Sequence, residues 1–404
     1  FTTGELHLMR ASEIAAKLPE TDATLRTRID VLLSLRNLIG ATAKYTETRR
    51  LLDQAEEIAK KLGDPDYRAR VLASRIHVLS ILGDLKAAVS AGNRSRALAR
   101  KAGDRSLLAL SNFFLGQTHF NRGAFAKAEA AFVENAAILQ GPPIELRLGA
   151  MATLTVSNPA NLAAVQAFQS RFDAAEHSAH QALQAANATG RPYDVTLADL
   201  YHGVFLLHCR SAEAASEAFT RGLELARQRE LEQLLPPALV GLGQARLLAG
   251  DIEGGMDSLR QAHELAVAQS RYMIQIWSAS ALALATTQLG RPRDAVRLAN
   301  EAVDAAERYG FAGFHVQALR SLGLAQAAAG DDRGVATLAR SLALSRDVGA
   351  RAESAHCHVA LSIYGRDDAG AHVAAAGRIY AEIGMEKFLD RLMGLAANDR
   401  IGLL

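Results

Sequence analysis

Residues 246–266 read RLLAGDIEGGMDSLRQAHELA, and residues 286–306 read TTQLGRPRDAVRLANEAVDAA. In each stretch two helix-like apolar patterns meet at a glycine. Gly250 stops the first helix, because glycine enters the left-handed conformation at little steric cost. Asp251 caps the next one, its carboxylate accepting from free backbone N–H groups. In the second stretch Gly290 is the stop, and Pro292 fits a first helical turn, where its missing N–H is not needed. Each stretch therefore reads as helix, tight turn, helix.

The same break returns at a fixed interval. Gly4, Gly83, Gly123, Gly250, Gly290 and Gly330 all precede the same kind of helix, and Ala43, Ser170 and Arg210 fill the remaining slots with weaker turn chemistry. Positions 83 and 123 lie 40 apart, as do 250 and 290, and 290 and 330. A second series, Gly63, Gly83, Gly103 and Gly123, falls every 20 residues. The unit is a pair of helices of roughly 17 residues each, recurring about nine times, and a fixed period in this range signals a solenoid.

Aligning the repeats on the turn exposes three rows of small residues. Five positions after it stand Met9, Thr48, Ala88, Ala128, Ala175, Ala215, Gly255, Ala295, Val335 and Gly370. Twelve positions after it stand Ala16, Ala55, Ser95, Asn135, Ala182, Gly222, Ala262, Ala302, Leu342 and Gly377. Seven positions before it, several repeats place Gly116, Ala163, Gly203, Gly243, Ala283 and Gly323. Small residues there let antiparallel helices approach closely. The pattern looks like that of the tetratricopeptide repeat (TPR), in which a small residue of the first helix, A, meets an alanine of the second, B. A HEAT or armadillo array is the alternative, since its period is nearer 40, but the spacing of the small residues favours long-helix TPR pairs. The expected fold is all-α, a right-handed α-solenoid of TPR-like helix pairs with a ~40-residue period. Residues 1–384 are expected to form the superhelix, with an orphan helix near 4–18 at its start. Residues 385–404 are expected to form a capping helix and tail, with Phe388, Leu389, Leu392 and Met393 covering the last repeat.

Composition points the same way. Apolar residues make up 49% of the chain and aromatics only 5%, which suits an alanine-rich core of close helix pairs. A net charge of +2, with 45 basic and 43 acidic residues spread evenly, gives no clustered basic stripe and argues against a nucleic-acid partner. Cys209 and Cys357 stand far apart without a C-x-x-C, which fits a reducing cytoplasm rather than a disulfide framework. Two uncharged runs, Leu148–Ser170 and Tyr272–Gly290, are long enough to span a bilayer. The first is broken by Ser157-Asn158-Pro159, and the second falls in phase as helix A of a repeat, so both read as buried solenoid helices. Gly4–Leu18 reads as the B helix of a pair whose A helix is missing, so the chain is expected to be a piece of something larger.

Motifs for catalysis do not emerge. There is no phosphate-binding G-x-x-x-x-G-K-[ST] loop, and Gly241-Leu242-Gly243 lacks the third glycine and the preceding strand of a dinucleotide loop. His356 and His358 are two apart, so on a helix their rings diverge by about 200°. His177 and His180 share a face but gain no third ligand, whereas structural metal sites want about four. His202 and His208 read as partly buried helix residues. No catalytic residue, cofactor or metal ligand is assigned, and the chain is expected to be non-catalytic.

LPETDATLRTRIDVLLSLRNLIGATAKY (18–45) and RRLLDQAEEIAKKLGD (49–64) resemble the start of the TPR region in bacterial multidomain signalling proteins. VSNPANLAAVQAFQSRFDAAEHSAHQAL (156–183) resembles a middle repeat of those regions, with Asn158-Pro159 where an Asp-Pro commonly stands. Such proteins join a nucleotide-cyclase or kinase domain to an AAA/STAND-type ATPase and a TPR tail. The TPR regions of maltose-regulator-like and other LuxR-type activators are similar. The resemblance implies an interaction or sensor module, part of a larger signalling ATPase or cyclase, that binds a protein or peptide, or the N-terminal domains of its own longer chain. The alternative is a receptor for a small peptide or metabolite, or the ligand-sensing part of a transcriptional regulator.

In TPR arrays helix A lines a concave groove. Six positions before each turn stand Asn37, His77, Gln117, Ala164, Val204, Gln244, Leu284, Leu324 and Val359. With their neighbours they give the candidate partner-binding set Asn37, His77, Phe113, Gln117, Asn121, Asn158, Asn161, Tyr201, Gln244, Trp277, Gln288 and Arg320. One repeat is irregular: the turn moves from Gly123 to Ser170, a gap of 47. Gly141-Pro142-Pro143 and Pro159 fall inside it. The segment 141–160 is expected to be a helix that starts early and is broken or kinked near Ser157–Pro159. That break would bend the superhelix into a pocket near Asn158, Asn161, Gln117 and Asn121. The alternative is a tolerated insertion on the convex side.

Overall fold

A computed structural model describes residues 3–140, 151–209, 211–365 and 368–394. Every regular element among them is an α-helix. The N-terminal ten are α1 (Thr3–Lys17), α2 (Asp22–Ala41), α3 (Tyr45–Leu62), α4 (Pro65–Ile81), α5 (Leu85–Ala102), α6 (Arg105–Asn121), α7 (Phe125–Leu139), α8 (Leu154–Phe168), α9 (Phe172–Thr189) and α10 (Pro192–His208). The remainder are α11 (Ala212–Gln228), α12 (Leu235–Ala249), α13 (Ile252–Ala268), α14 (Tyr272–Gln288), α15 (Pro292–Tyr309), α16 (Ala312–Ala328), α17 (Arg333–Val348), α18 (Arg351–Tyr364), α19 (Ala369–Glu382) and α20 (Glu386–Gly394). From α2 to α19, even-numbered A helices alternate with odd-numbered B helices in an α-solenoid of hairpins. None of these helices is long and apolar enough to cross a membrane.

The hairpin turns follow the sequence chemistry. Gly83, Gly123, Gly250, Gly290 and Gly330 all have positive φ, and Ala43 (56°) and Ser170 (60°) adopt the same left-handed backbone without being glycine. Asp251 caps α13 by accepting from the Gly254 N–H at 3.0 Å, and Pro292 opens α15. The B-to-A joints form a second left-handed series at Gly63, Gly103, Gly190, Glu230, Ser270, Gly310 and Gly349. Gly4 departs from expectation: it lies inside α1 and turns nothing. Arg210 lies outside the described residues.

The small-residue rows are the packing surface. Ala88, Ala128, Ala175, Ala215 and Ala295 have no exposed area. A Cβ on Gly116 would lie 2.6 Å from the Phe132 ring, and one on Gly203 2.8 Å from that of Phe219. The Gly241-Leu242-Gly243 stretch is helix packing too, since a Cβ on Gly243 would come within 2.9 Å of the Gly255 carbonyl. At the two ends the register moves by one residue. Ala15 is buried rather than Ala16, Gly334 rather than Val335, and Ala376 rather than Gly377. In the first case Gly4 is not a turn. In the second, α17 starts three residues after its glycine, whereas α13 and α15 start two after theirs. A main apolar core runs from Ala69 to Ala350, and a second closes the C-terminal end, where Phe388 and Leu392 of α20 pack with Tyr380.

The irregular repeat differs from expectation. α8 is continuous from Leu154 to Phe168 with Pro159 inside it, so the break at Ser157–Pro159 is absent. A mid-helix proline costs about 3 kcal/mol, but thirteen of the fifteen residues of α8 are buried, and that burial outweighs the lost hydrogen bond. Buried Asp194 of α10 also accepts from the N–H and hydroxyl of Thr153, at 2.8 and 2.7 Å, and fixes the start of α8. The expected early start at 141–150 lies outside the described residues.

The coil touches itself. Gln233 hydrogen-bonds the carbonyl of Gly40, 193 residues away. The Gly83 turn meets the ring of Tyr309, and the Gly123 turn meets Gly313. Phe120 and Phe168 lie 5.9 and 5.7 Å from Phe314. One superhelical turn thus rests on the next through a row of hairpin turns.

Candidate functional site

Two chambers open on the inner face of the coil. The N-terminal one has a volume of about 90 Å³ and is walled by five consecutive A helices. They contribute Arg36, Asn37 and Gly40 (α2), His77 and Val78 (α4), Phe113, Phe114 and Gln117 (α6), Ser157 and Asn161 (α8), and Tyr193 and Leu197 (α10). Tyr45 and Thr48 of α3 and Met151 and Ala152 before α8 complete this wall, and Gln233 enters from the next superhelical turn. At ~10–15 Å³ per water, the space holds several waters or a group of similar size.

Its polar groups form two hydrogen-bonded sets, one around Asn161 and one around Arg36. Asn161 Oδ1 accepts from the Tyr201 hydroxyl at 2.8 Å and from Gln117 Nε2 at 3.3 Å, and Asn161 Nδ2 donates to the Ser157 carbonyl at 2.8 Å. Arg36 donates to Asn37 Oδ1 at 2.7 Å and more distantly to the Ser74 carbonyl. Burial lowers the Arg36 pKa to about 10. His77 stacks on Phe114 with centroids 4.9 Å apart. Burial, with the charges of Arg36 and Arg271, pushes His77 down to about 3, so it is neutral. Burial raises the hydroxyls of Tyr45 and Tyr193, and that of Tyr201 to about 12.

The second chamber, about 180 Å³, is walled by the C-terminal ends of α8 and α10, by α12, α14 and α16, and by the start of α18. Phe168, His208, Trp277 and several leucines give it an apolar surface. Gln244, Gln288, Gln317, Arg320, Glu353 and His356 supply polar groups. Trp277 Nε1 donates to Gln244 Oε1 at 2.9 Å. Arg320 and Glu353 form a buried ion pair at 2.9 Å, and Gln317 donates to the same carboxylate at 3.2 Å. Burial disfavours the Arg320 charge, but Glu353, together with Cys357 and Tyr380, more than offsets this and raises its pKa. His356 bonds the Tyr380 hydroxyl at 2.7 Å, and its ring lies 5.9 Å from Phe388 of α20.

Of the residues singled out in the sequence, Asn37, His77, Phe113, Gln117 and Asn161 line the first chamber. Gln244, Trp277, Gln288 and Arg320 line the second. Tyr201 stands behind Asn161. Two residues are elsewhere. Asn121 donates to Ser80 Oγ at 3.0 Å, between α6 and α4. Asn158 is 1% exposed and packed against α7, where it accepts from Asn135 Nδ2 and donates to the Phe132 carbonyl, both at 3.0 Å. The continuity of α8 through Pro159 turns Asn158 toward α7, while Asn161 faces the chamber. Arg36, Tyr193, Gln317 and Glu353 were missed, although each stands on an A helix and the first adjoins Asn37. Gln233 carries no local signal, because only the pitch of the coil brings it there. His358 points elsewhere, to His372 at 2.8 Å.

No family model and no curated protein matches the chain. Solved structures match its fold. A Rap protein complexed with competence and sporulation factor is 14% identical, with 90% of this chain and 99% of that one covered and a TM-score of 0.63. NprR in complex with its cognate peptide NprX is 13% identical, with 88% and 98% covered and a TM-score of 0.55. A Signal Transduction ATPase with Numerous Domains (STAND) protein with a tetratricopeptide repeat sensor, from Pyrococcus horikoshii, is 14% identical, with 93% and 55% covered and a TM-score of 0.51. At this identity the likeness concerns the fold: a TPR-like α-solenoid.

Proposed function

We propose that this chain is a sensor module that binds a short peptide on the inner face of its superhelix and performs no chemistry of its own. The observation that carries the reading is the pair of chambers, each walled by successive A helices and each combining aromatic surface with amide groups. Side-chain amides both donate and accept, as a peptide backbone requires. One protein of similar fold was solved with its cognate peptide and another with competence and sporulation factor, which supports the reading. A third carries such repeats as the sensor of a signalling ATPase, which supports a place in a larger signalling protein.

The chambers also favour a small ligand over a folded protein partner. Their volumes, about 90 and 180 Å³, take side chains or a small metabolite.

The test is equilibrium selection. The whole chain is mixed with a random hexapeptide pool, and retained peptides are sequenced by mass spectrometry. Related sequences enriched about tenfold or more are expected, with enrichment reduced in Gln244→Ala and Trp277→Ala. Uniform recovery by a fully helical protein would sink the peptide reading.

A further inference from the structure

We propose that the N-terminal chamber takes a carboxylate group flanked by an N–H donor, an inference that rests on reading the chain as a binding module. Arg36 is the charged side chain in the wall, and the described residues lining it include no aspartate or glutamate. A second cation, Arg271 of the next superhelical turn, stands behind the lining residue Gln233 rather than in the wall itself. Arg271 donates to the Gln233 carbonyl at 2.5 Å, and its charge acts on Tyr45, His77, Tyr193 and Tyr201.

A guanidinium presents a planar fork of donors that matches a carboxylate, and removal from water strengthens such charged hydrogen bonds. His77 is neutral there, so the positive field comes from the two arginines. The flanking donor is called for by Gln117. Its Oε1 is buried and makes no well-formed hydrogen bond among the described residues, His77 acting only as a weak partner, and a buried acceptor left in that state is costly. One small group therefore satisfies both features: a carboxylate on the arginine side and an N–H on Gln117. A peptide C-terminus has this chemistry, and so does a free N-acyl amino acid.

Two paired comparisons test the proposal on the whole chain. The first measures N-acetylglycine against N-acetylglycinamide by calorimetry or ligand-observed NMR. The second measures a hexapeptide pool with free C-termini against the same pool amidated. The acid form is expected to bind about tenfold or more tightly than the amide in at least one comparison. Arg36→Gln and Arg271→Gln should each erode that preference, and Arg36→Lys should retain part of it. Melting curves identify any variant that fails to fold, and the two arginine sites test the charge independently. Preference in the first comparison alone assigns the carboxylate to a free acid, and preference in the second assigns it to a peptide end. Equal binding of acid and amide in both comparisons, or a preference unchanged in folded variants at both sites, overturns the proposal. Peptides retained without regard to their C-terminal charge, with N-acetylglycine and its amide also bound equally, would overturn it while leaving the peptide-sensor reading intact. N-acetylglycine selected by a chain that retains no peptide would do the reverse.

Discussion

The backbone N–H of Ala352 donates to the Ser170 hydroxyl at 3.0 Å, across 182 residues of sequence. Ser170 is a hairpin turn of the fourth repeat with a left-handed backbone, and Ala352 begins the A helix of the ninth. With Gln233 on Gly40 and Gly123 on Gly313, this bond ties successive superhelical turns together around the inner face. The chambers depend on those contacts as much as on the repeats themselves.

Gly123→Ala should test the closure. Both Gly123 and Gly63 have left-handed backbones, at 68° and 71°, so alanine costs either site about 1–2 kcal/mol in strain. The surroundings differ. A Cβ at Gly63 meets nothing within 4 Å, whereas one at Gly123 would lie 2.8 Å from the backbone nitrogen of Gly313. Gly123→Ala is expected to lose at least ~1 kcal/mol more than Gly63→Ala, since backbone cannot rotate away. It should also raise the radius of gyration in small-angle scattering. Equal melting and scattering for the two variants would contradict closure at this point.

Gly241→Ala addresses packing between successive hairpins. Its Cβ would fall 2.1 Å from Phe219 Cε1, on a ring with no exposed area. A loss of ~1–3 kcal/mol is expected from overpacking. Phe219→Leu removes the obstructing ring edge, so the double variant should be less destabilised than the sum of the two. Additive denaturation energies would show that the two residues do not meet.

The architecture was legible because its determinants are local. Gly250 with Asp251 and Gly290 with Pro292 mark the turns. The inner-face row then places His77 and Gln117 at one chamber and Gln244 at the other. The closure was not legible. Ser170 and Ala352 meet through the pitch accumulated over five repeats, which no local pattern encodes. Asn158 was misplaced for a different reason: the rule that proline ends a helix lost to burial around α8, and continuous helix carries Asn158 onto α7.

That placement separates two asparagines three residues apart. Asn158→Ala leaves the Asn135 amide and the Phe132 carbonyl without their partner in a dry interface, at a cost of ~1–3 kcal/mol. Asn161→Ala leaves Tyr201 and Gln117 beside a chamber with room for water, which can replace the lost bonds. Urea denaturation should find Asn158→Ala the less stable of the two. The opposite order would contradict the assignment of Asn158 to the interface.

His77 predicts the response to acid. Burial first, then Arg36 and Arg271, hold its folded pKa near 3, against an ordinary value of 6.5; Gln117 acts weakly in the other direction. Tyr45 and Phe114, the rings packed against it, stay neutral in acid. Below pH 6.5 the unfolded chain therefore binds a proton at this site that the folded chain refuses. The neutral-ring stability is complete above 6.5 and is lost as pH falls through the window from 6.5 toward 3. Each pH unit well inside that window is worth at most ~1.4 kcal/mol. His77→Phe keeps a ring against Phe114 and removes the proton site, so its stability should fall less than the wild type's between pH 7 and pH 5. Guanidinium denaturation at the two pH values measures the difference. Parallel losses in both proteins would show that His77 is protonated as readily in the folded chamber as in the unfolded chain.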